Sequence, residues 1–186
     1  MDTIHKYIQV AIDYFTKWVE AASYSVLKAK HMARFIENNI ICRYGVPQEI
    51  ISNNGSHFKK EVRKIMELYN IKHHKSSPYW PQTNGVIEAT NKNIKNILAK
   101  MVVTYKDRAK KHPFALWGCR TSIRASTGET PYSLVYGSEA VLPIEVEIQS
   151  LRVIVETKFL GMDWMKGRFE QLDLIDETRS RAQFHV

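Results

Sequence analysis

The sequence predicts an α/β domain with a mixed sheet and helices on its faces. Short apolar runs bounded by turn residues alternate with longer segments in which apolar residues recur every three or four positions. The predicted order of strands, helix, strand, helix, strand and helix is typical of α/β domains. With 186 residues, the chain is long enough for one domain with a buried core and an appended helix, but not for two full domains.

The predicted strands lie in the first half of the chain. Residues 7–12 and 18–24 form apolar runs joined by the short linker 13–17, a pattern that predicts a β-hairpin. Residues 49–52 and 71–75 predict two further short strands. The strand at 49–52 runs directly into Asn53-Asn54-Gly55, and the strand at 71–75 leads into a proline-rich loop.

Helices are predicted wherever apolar residues keep helical spacing. The first ends where Gly45 and Pro47 stop it. After the last helix-breaking turn at Thr127, a short helical piece and then an extended segment at 141–155 are predicted. The longer predicted helices are 28–44, 58–69, one starting near Gly85 and running to about Tyr105, 113–124 and a closing helix at 162–181.

The stretch from Ser77 to Lys100 carries the strongest candidate chemistry. Its prolines forbid helix, and Asn84 with Gly85 supplies a turn and an N-cap, so the long helix must begin there. Glu88 follows in the first helical turn, about 100° of rotation from the apolar stripe that starts at Ile87. This position suits a carboxylate that holds a metal ion near a phosphate.

Two lysines follow this carboxylate along the same shoulder of the helix, Lys92 and Lys95. On spacing alone, Glu88 and Lys92 fit an ordinary exposed i,i+4 pair better than a functional site; such a pair contributes a few tenths of a kcal/mol. The spacing therefore leaves both interpretations open.

Composition sets the class of protein. The 27 Lys and Arg residues outnumber the 19 Asp and Glu residues, giving a net charge of +8. This excess suits a polyanionic partner, although solubility alone also explains a charge of this size. Cys42 and Cys119 belong to no metal-binding pattern, and no apolar run approaches the length of a membrane span. These features predict a soluble, intracellular protein without a signal segment.

Four blocks of the sequence occur in order between about residues 5 and 155: HKYIQVAIDYFTKWVEA, YGVPQEIISNNGSHF, PYWPQTNGVIEATNKNIK and RTSIRASTGETPYSLVYG. Together they resemble the catalytic core of the integrases of gypsy-class LTR retrotransposons, of the kind abundant in plant genomes. From this resemblance, 1–155 is expected to be the core and 156–186 a helical linker.

The resemblance implies a ribonuclease H-like fold in which three carboxylates hold two Mg²⁺ ions for phosphoryl transfer on DNA. Glu88 matches the third carboxylate of the family. The second position is Asn53, with 34 residues between it and Glu88, close to the family spacing. The charge at this position is lost, although an asparagine carbonyl can still bind one ion weakly.

The first family carboxylate lies on an upstream strand, which the resemblance implies is missing or truncated here. Only Met1 to Ile4 precede the matching segment, so Asp2 corresponds to that carboxylate only if an intervening hairpin was deleted. Asp13 matches a family residue outside the ligand set and is expected to be a turn residue. A two-metal site is therefore not expected, and strand transfer should be negligible.

DNA binding is expected to be retained even though catalysis is lost. By resemblance, Lys92 and Lys95 face the DNA end and attract phosphate in a salt-dependent, sequence-independent way; a solvated helix face is the alternative. The resemblance also implies secondary contacts with DNA for the loop residues Tyr79, Gln82 and Asn84. His73, His74 and Lys75 would add positive charge in the same neighbourhood.

The expected partners are DNA and further copies of the chain, in the nucleus, with neither a membrane nor a small-molecule substrate. Three functional interpretations stay open at this point. They are a degenerate polynucleotidyl transferase, a DNA-binding or assembly module without catalysis, and a relic without a selected role.

Overall fold

The structure is a computed structural model that describes residues 7–52, 61–75, 92, 96, 108–141 and 161–184. The chain divides into two compact units. The first contains the strands and the helices between them, and the second contains the turn Asp13–Trp18 and the chain from Trp117 onward. The predicted domain boundary at residue 155 lies outside the described residues and stays a prediction.

The predicted hairpin is confirmed. Strand β1 (Tyr7–Ile12) pairs antiparallel with β2 (Val19–Tyr24), so that Tyr7 lies opposite Tyr24 and Ile12 opposite Val19. The β-branched and aromatic residues of both runs suit a pleated strand.

Asp13 closes the turn between these strands. Its Oδ2 atom accepts hydrogen bonds from the backbone N–H of Thr16 at 2.8 Å and from the Thr16 hydroxyl at 2.6 Å. The turn role predicted for Asp13 is therefore confirmed. Lys17 adopts a left-handed backbone conformation in the same turn, with φ of 58°.

The predicted helix at 28–44 is present as one continuous helical segment with a change of type inside it. Helix α1 (Ala29–Phe35) passes into a π-helical segment (Ile36–Ile41) and then into α2 (Cys42–Tyr44), which ends at Gly45 with φ of 90°. Ile40 and Ile41 follow the buried Ile36 by four and five residues. The wider π turn lets both side chains pack against the same core.

The parallel pair forms a β-α-β unit. Strand β3 (Glu49–Ser52) is followed by α3 (Glu61–Leu68) and then by β4 (Lys72–Lys75), which pairs parallel with β3. Both predicted strands are confirmed, and the helix predicted at 58–69 is confirmed over 61–68. Over the described residues the two ladders are separate two-stranded sheets, one antiparallel and one parallel, so the single mixed sheet that was predicted is not seen there.

The core of this first unit lies between α1 and α3. Ile40, Ile41, Ile50, Ile65 and Tyr69 pack against it from the edges. Buried apolar area of this kind contributes about 25 cal/mol per Å². The buried members of the cluster are Met32, Ala33, Ile36, Val62, Met66 and Ile71.

Helix α4 (Arg108–Thr121) differs from the helix predicted at 113–124 at both ends. The helix begins at Arg108, before Pro113. The prediction missed this first part because its residues are mostly polar and show no apolar periodicity. The helix ends at Thr121 because side chains occupy its last carbonyls. The Ser122 hydroxyl donates to the Gly118 carbonyl at 2.6 Å, and Arg124 Nη2 donates to the Cys119 carbonyl at 2.6 Å.

The short predicted helix after Thr127 is confirmed as α5 (Pro131–Tyr136). Thr130 caps it by accepting a hydrogen bond from the backbone N–H of Ser133 at 3.0 Å, and Gly137 ends it in the left-handed region.

The closing helix predicted at 162–181 is two helices, α6 (Gly161–Asp173) and α7 (Ile175–Gln183), so its continuity was predicted wrongly. Arg168 Nη2 of α6 donates to the Tyr136 carbonyl at 2.7 Å, and Arg179 Nε of α7 donates to the Leu134 carbonyl at 3.0 Å. Both arginines thus satisfy carbonyls at the end of α5. The periodicity of apolar residues in the sequence does not predict such tertiary hydrogen bonds.

Aromatic side chains pack around the turn residue Trp18 in the second unit. Its ring lies 5.5 Å from that of Tyr136 and 6.3 Å from that of Tyr132, between centroids. The guanidinium carbon of Arg120 lies 4.4 Å from the Trp18 ring centroid, a cation–π arrangement.

The structure describes two of the predicted segments only in part. Lys92 and Asn96 are helical, as the long helix requires, and the rest of that helix lies outside the described residues. The extended segment predicted at 141–155 is described only at Val141. In the part of the chain that the structure describes, no helix combines the length and apolarity needed to span a bilayer.

Candidate functional site

Among the predicted site residues, the structure describes Lys92, which is helical and exposed. This placement suits contact with a large anionic partner. The other residues predicted to bind metal or DNA lie outside the described residues: Asn53, Tyr79, Gln82, Asn84, Glu88 and Lys95, as does Asp2.

The described part of the site is the carboxyl end of the β3–β4 ladder, because Asn53 directly follows the last residue of β3. The parallel register places Ser52 beside Lys75. The Ser52 hydroxyl is within hydrogen-bonding distance of His73 Nε2, at 2.8 Å. Ser52 is buried, so this bond satisfies a hydroxyl that water does not reach.

The two faces of the ladder differ in charge. Strand residues alternate between faces, so Lys72 and His74 lie on one face and His73 and Lys75 on the other. Glu49 neutralises the first face, with Oε1 at 3.7 Å from Lys72 Nζ and Oε2 at 3.5 Å from His74 Nε2. The adjacent histidines His73 and His74 thus lie on opposite faces and have different partners, Ser52 and Glu49.

His73 reports the electrostatics of the second face. Burial lowers the pKa of this imidazole, and the nearby positive charges of Lys75, His74 and Arg63 lower its pKa further. The side chain is therefore neutral at neutral pH. The positively charged surroundings at this end of the strand therefore disfavour protonation of His73.

This lowered pKa predicts how stability responds to acid. The unfolded state, with a histidine pKa near its ordinary value of about 6.5, takes up the proton more readily than the folded state. The free energy of unfolding should therefore fall as the pH drops through that value, and His73→Gln should reduce this dependence. Urea unfolding at a series of pH values measures it.

His31→Gln provides the matched control for that measurement, because it removes an imidazole that is not among the groups acting on His73 and leaves the Ser52–His73 bond intact. An unchanged pH dependence in His73→Gln would contradict the assignment of this acid sensitivity to His73.

A buried carboxylate that the sequence analysis did not single out lies on β2. Glu20 is 4% exposed, its Oε1 atom accepts a hydrogen bond from the Tyr44 hydroxyl at 2.6 Å, and its Oε2 atom lies 3.5 Å from Arg43 Nη1. These contacts tie β2 to the end of α2. An acidic residue inside the apolar run WVEAAS was the signal available in the sequence.

The donor set expected from the family resemblance, Glu88 and Asn53, would not fit a pair of Mg²⁺ ions. Glu88 offers one carboxylate and Asn53 one neutral amide oxygen, whereas Mg²⁺ pairs best with carboxylates in octahedral geometry. On the strand that pairs with β3, His73 is acted on by the cations Lys75 and Arg63. Over the described ranges, no group of three His, Cys, Asp or Glu residues is placed to hold a metal ion.

Comparison with solved structures gives the class of domain. The integrase catalytic core of HTLV-2, solved in complex with magnesium, has a TM-score of 0.54 at 24% identity, over 69% of this chain and 83% of that chain. The integrase catalytic core of BIV has a TM-score of 0.56 at 26% identity, over 69% and 84%. A chain of the simian T-cell lymphotropic virus intasome, solved in complex with PP2A regulatory subunit B56 gamma, has a TM-score of 0.59 at 22% identity, over 73% and 50%. The fold is therefore the predicted ribonuclease H-like fold of integrase catalytic cores.

The relatives of this chain in sequence are retroviral polyproteins. The chain is 33% identical to the Gag-Pol polyprotein of Feline leukemia virus over 182 residues, or 95% of this chain and 10% of the polyprotein. It is 31% identical to the Pol polyprotein of Radiation murine leukemia virus (strain Kaplan) over 137 residues, or 72% and 23%. The Gag-Pol polyprotein of Avian reticuloendotheliosis virus is 28% identical over 181 residues, or 96% and 15%.

Homologues of this chain are thus retroviral Pol polyproteins and integrase catalytic cores, which supports the predicted integrase core. The chain spans between a tenth and a quarter of the length of these curated relatives. No family model matches it.

Proposed function

We propose that this chain is the integrase core of a gypsy-class LTR retroelement, that it binds DNA, and that it no longer carries out efficient two-metal phosphoryl transfer. The observation that carries the proposal is the likeness to a retroviral Gag-Pol polyprotein over 95% of the chain. Within that likeness, Asn53 replaces an aspartate expected in the family. The plant gypsy assignment rests on the four sequence blocks.

The DNA contact is assigned to the helix face that carries Lys92. This lysine is exposed and helical, and Lys95 follows it in sequence by three residues, a spacing that places both on one side of a helix. Lysines attract phosphate without reading sequence. Tyr79, Gln82 and Asn84 would add contacts from the preceding loop, and nuclear residence follows from the same function.

Metal chemistry is proposed to be impaired rather than redirected. When bound, Mg²⁺ stabilises the charge that develops in phosphoryl transfer. Glu88 and Asn53 would hold at most one ion, because their combined charge offsets only half of a divalent cation. The positive charges beside His73 add to this deficit.

Filter binding of a labelled duplex in EDTA tests the DNA contact. We expect binding that persists without metal and weakens steeply with salt. Lys92→Gln should reduce the slope of log K against log salt by about 0.9, the value for one phosphate contact on B-DNA. Lys166→Gln is the matched control, since Lys166 is also an exposed helical lysine.

The catalytic part of the proposal is tested on the same duplex with Mg²⁺. We expect negligible cleavage or joining of a labelled DNA end by the unaltered chain. Efficient metal-dependent joining that Glu88→Gln abolishes would overturn the proposed impairment. Equal salt slopes for Lys92→Gln and Lys166→Gln would overturn the assigned DNA face.

A second candidate function is assembly without catalysis. The HTLV-2 core was solved in a trimeric form, and a core that has lost metal ligands can retain an interface between copies. Sedimentation of the purified chain without DNA tests this candidate, which requires a stable oligomer.

A further inference from the structure

We propose that the carboxyl end of the β3–β4 ladder is a second DNA-backbone contact, in which Arg63, Lys75 and His73 bind phosphate without a metal ion. This inference rests on the proposed DNA binding. It adds residues on a strand pair and on α3 to the contact assigned to Lys92.

Unpaired charge is the first observation. The Glu49 carboxylate lies within ion-pair distance of both Lys72 and His74 on one face of the ladder. Neither Arg63 nor Lys75 forms an ion pair with any residue that the structure describes, and both are exposed. Within the part of the chain that the structure describes, no acidic side chain therefore offsets the charge of Arg63 or Lys75.

Convergence on one face is the second observation. Ile50 packs against the cluster that contains Val62 of α3, so α3 covers the ladder face that carries Ile50. His73 and Lys75 share that face by strand alternation. Arg63 directly follows Val62, and its charge reaches His73, whose pKa it lowers together with Lys75. Two cations that pair with no described residue, Arg63 and Lys75, thus lie with an imidazole at one strand end.

The chemistry of these groups suits a phosphodiester. An arginine guanidinium matches phosphate oxygens in a bidentate fashion, and a lysine ammonium supplies a compact charge. The Ser52 hydroxyl and His73 ring, 2.8 Å apart, supply hydrogen-bonding groups at the same edge. The charged groups acting on His73 are Lys75, His74 and Arg63, all of them basic.

The replacement at position 53 strengthens this inference. Asn53 directly follows Ser52, where the family resemblance places an aspartate. A carboxylate there would repel a DNA phosphate unless a metal ion lay between them, whereas a neutral amide does not. The substitution that removes metal-binding charge therefore makes direct phosphate binding at this edge more favourable.

Filter binding of a labelled random-sequence duplex in EDTA, over a range of salt concentrations, tests the contact. We expect Arg63→Gln and Lys75→Gln each to reduce the slope of log K against log salt by about 0.9. Lys72→Gln is the matched control, because it removes a lysine from the same strand on the face neutralised by Glu49. It should leave the slope unchanged.

The same series separates this inference from the proposed function. Normal slopes in Arg63→Gln and Lys75→Gln, with a reduced slope in Lys92→Gln, would overturn the second contact and leave the first. The reverse pattern would support the second contact and overturn the DNA face assigned to Lys92. An equal loss in Lys72→Gln would show a general charge effect and overturn the second contact.

A spectroscopic readout adds a local test. Binding of the duplex should raise the pKa of the His73 imidazole, because a phosphate offsets the positive charges that lower it, and NMR titration of the ring protons measures this. A His73 titration that the duplex leaves unchanged would overturn the contact. Circular dichroism melting confirms that each variant is folded.

Discussion

Asn53→Asp should tighten the binding of Mn²⁺, used as a probe for Mg²⁺, by at least about tenfold, or about 1.4 kcal/mol. The substitution restores the carboxylate expected from the family and places a second negative charge opposite the ion. Isothermal titration calorimetry of the full chain measures the affinity. DNA joining should remain negligible, because the first family carboxylate has no clear match.

Asn54→Asp is the matched control for this gain, because it adds the same charge one residue away. Equal tightening in Asn53→Asp and Asn54→Asp would reduce the effect to net charge and contradict a specific ligand role for position 53. Adding Glu88→Gln to Asn53→Asp should remove the gain, since it removes the other carboxylate.

Phe35→Ala should lower the free energy of unfolding by about 3–5 kcal/mol. Phe35 ends α1 and is 2% exposed, so its truncation leaves a cavity in addition to the lost burial of the ring. Urea unfolding followed by circular dichroism measures the change. The loss is a large fraction of the total stability of a domain of this size.

Phe184→Ala is the matched control, because this phenylalanine is 92% exposed. Its truncation should change the free energy of unfolding by no more than about 0.5 kcal/mol. Similar losses in both variants would contradict the burial that the structure assigns to Phe35.

Periodicity was enough to predict the first unit in outline. The hairpin, the strands at 49–52 and 72–75 and the helix ending at Gly45 are confirmed, since each is bounded by turn residues and has a clear apolar pattern. The start of α4 and the break at Leu174 were missed for different reasons. The polar first turn of α4 carries no apolar period. The helices on either side of Leu174 make hydrogen bonds from Arg168 and Arg179 to α5, which lies far away in sequence, and a local pattern does not reveal such contacts.

The site assignment stays a prediction, made from the motif around Asn53 and Glu88. Of its residues, the structure describes Lys92, which is helical and exposed. The pairing of Ser52 with His73, and the neutralisation of Lys72 by Glu49, depend on the parallel register of β3 and β4. No local pattern specifies that register, because it is set by packing against α3.

The setting of Trp18 gives this protein an internal optical reporter. Its indole is 6% exposed, beneath the guanidinium of Arg120 and beside two tyrosine rings that can transfer excitation energy to it. Opening of this aromatic cluster would expose the indole to water and shift its emission to longer wavelength. In a variant in which Trp80, Trp117 and Trp164 are replaced by phenylalanine, the emission of Trp18 would therefore follow the loosening of this one turn separately from the melting of the strands.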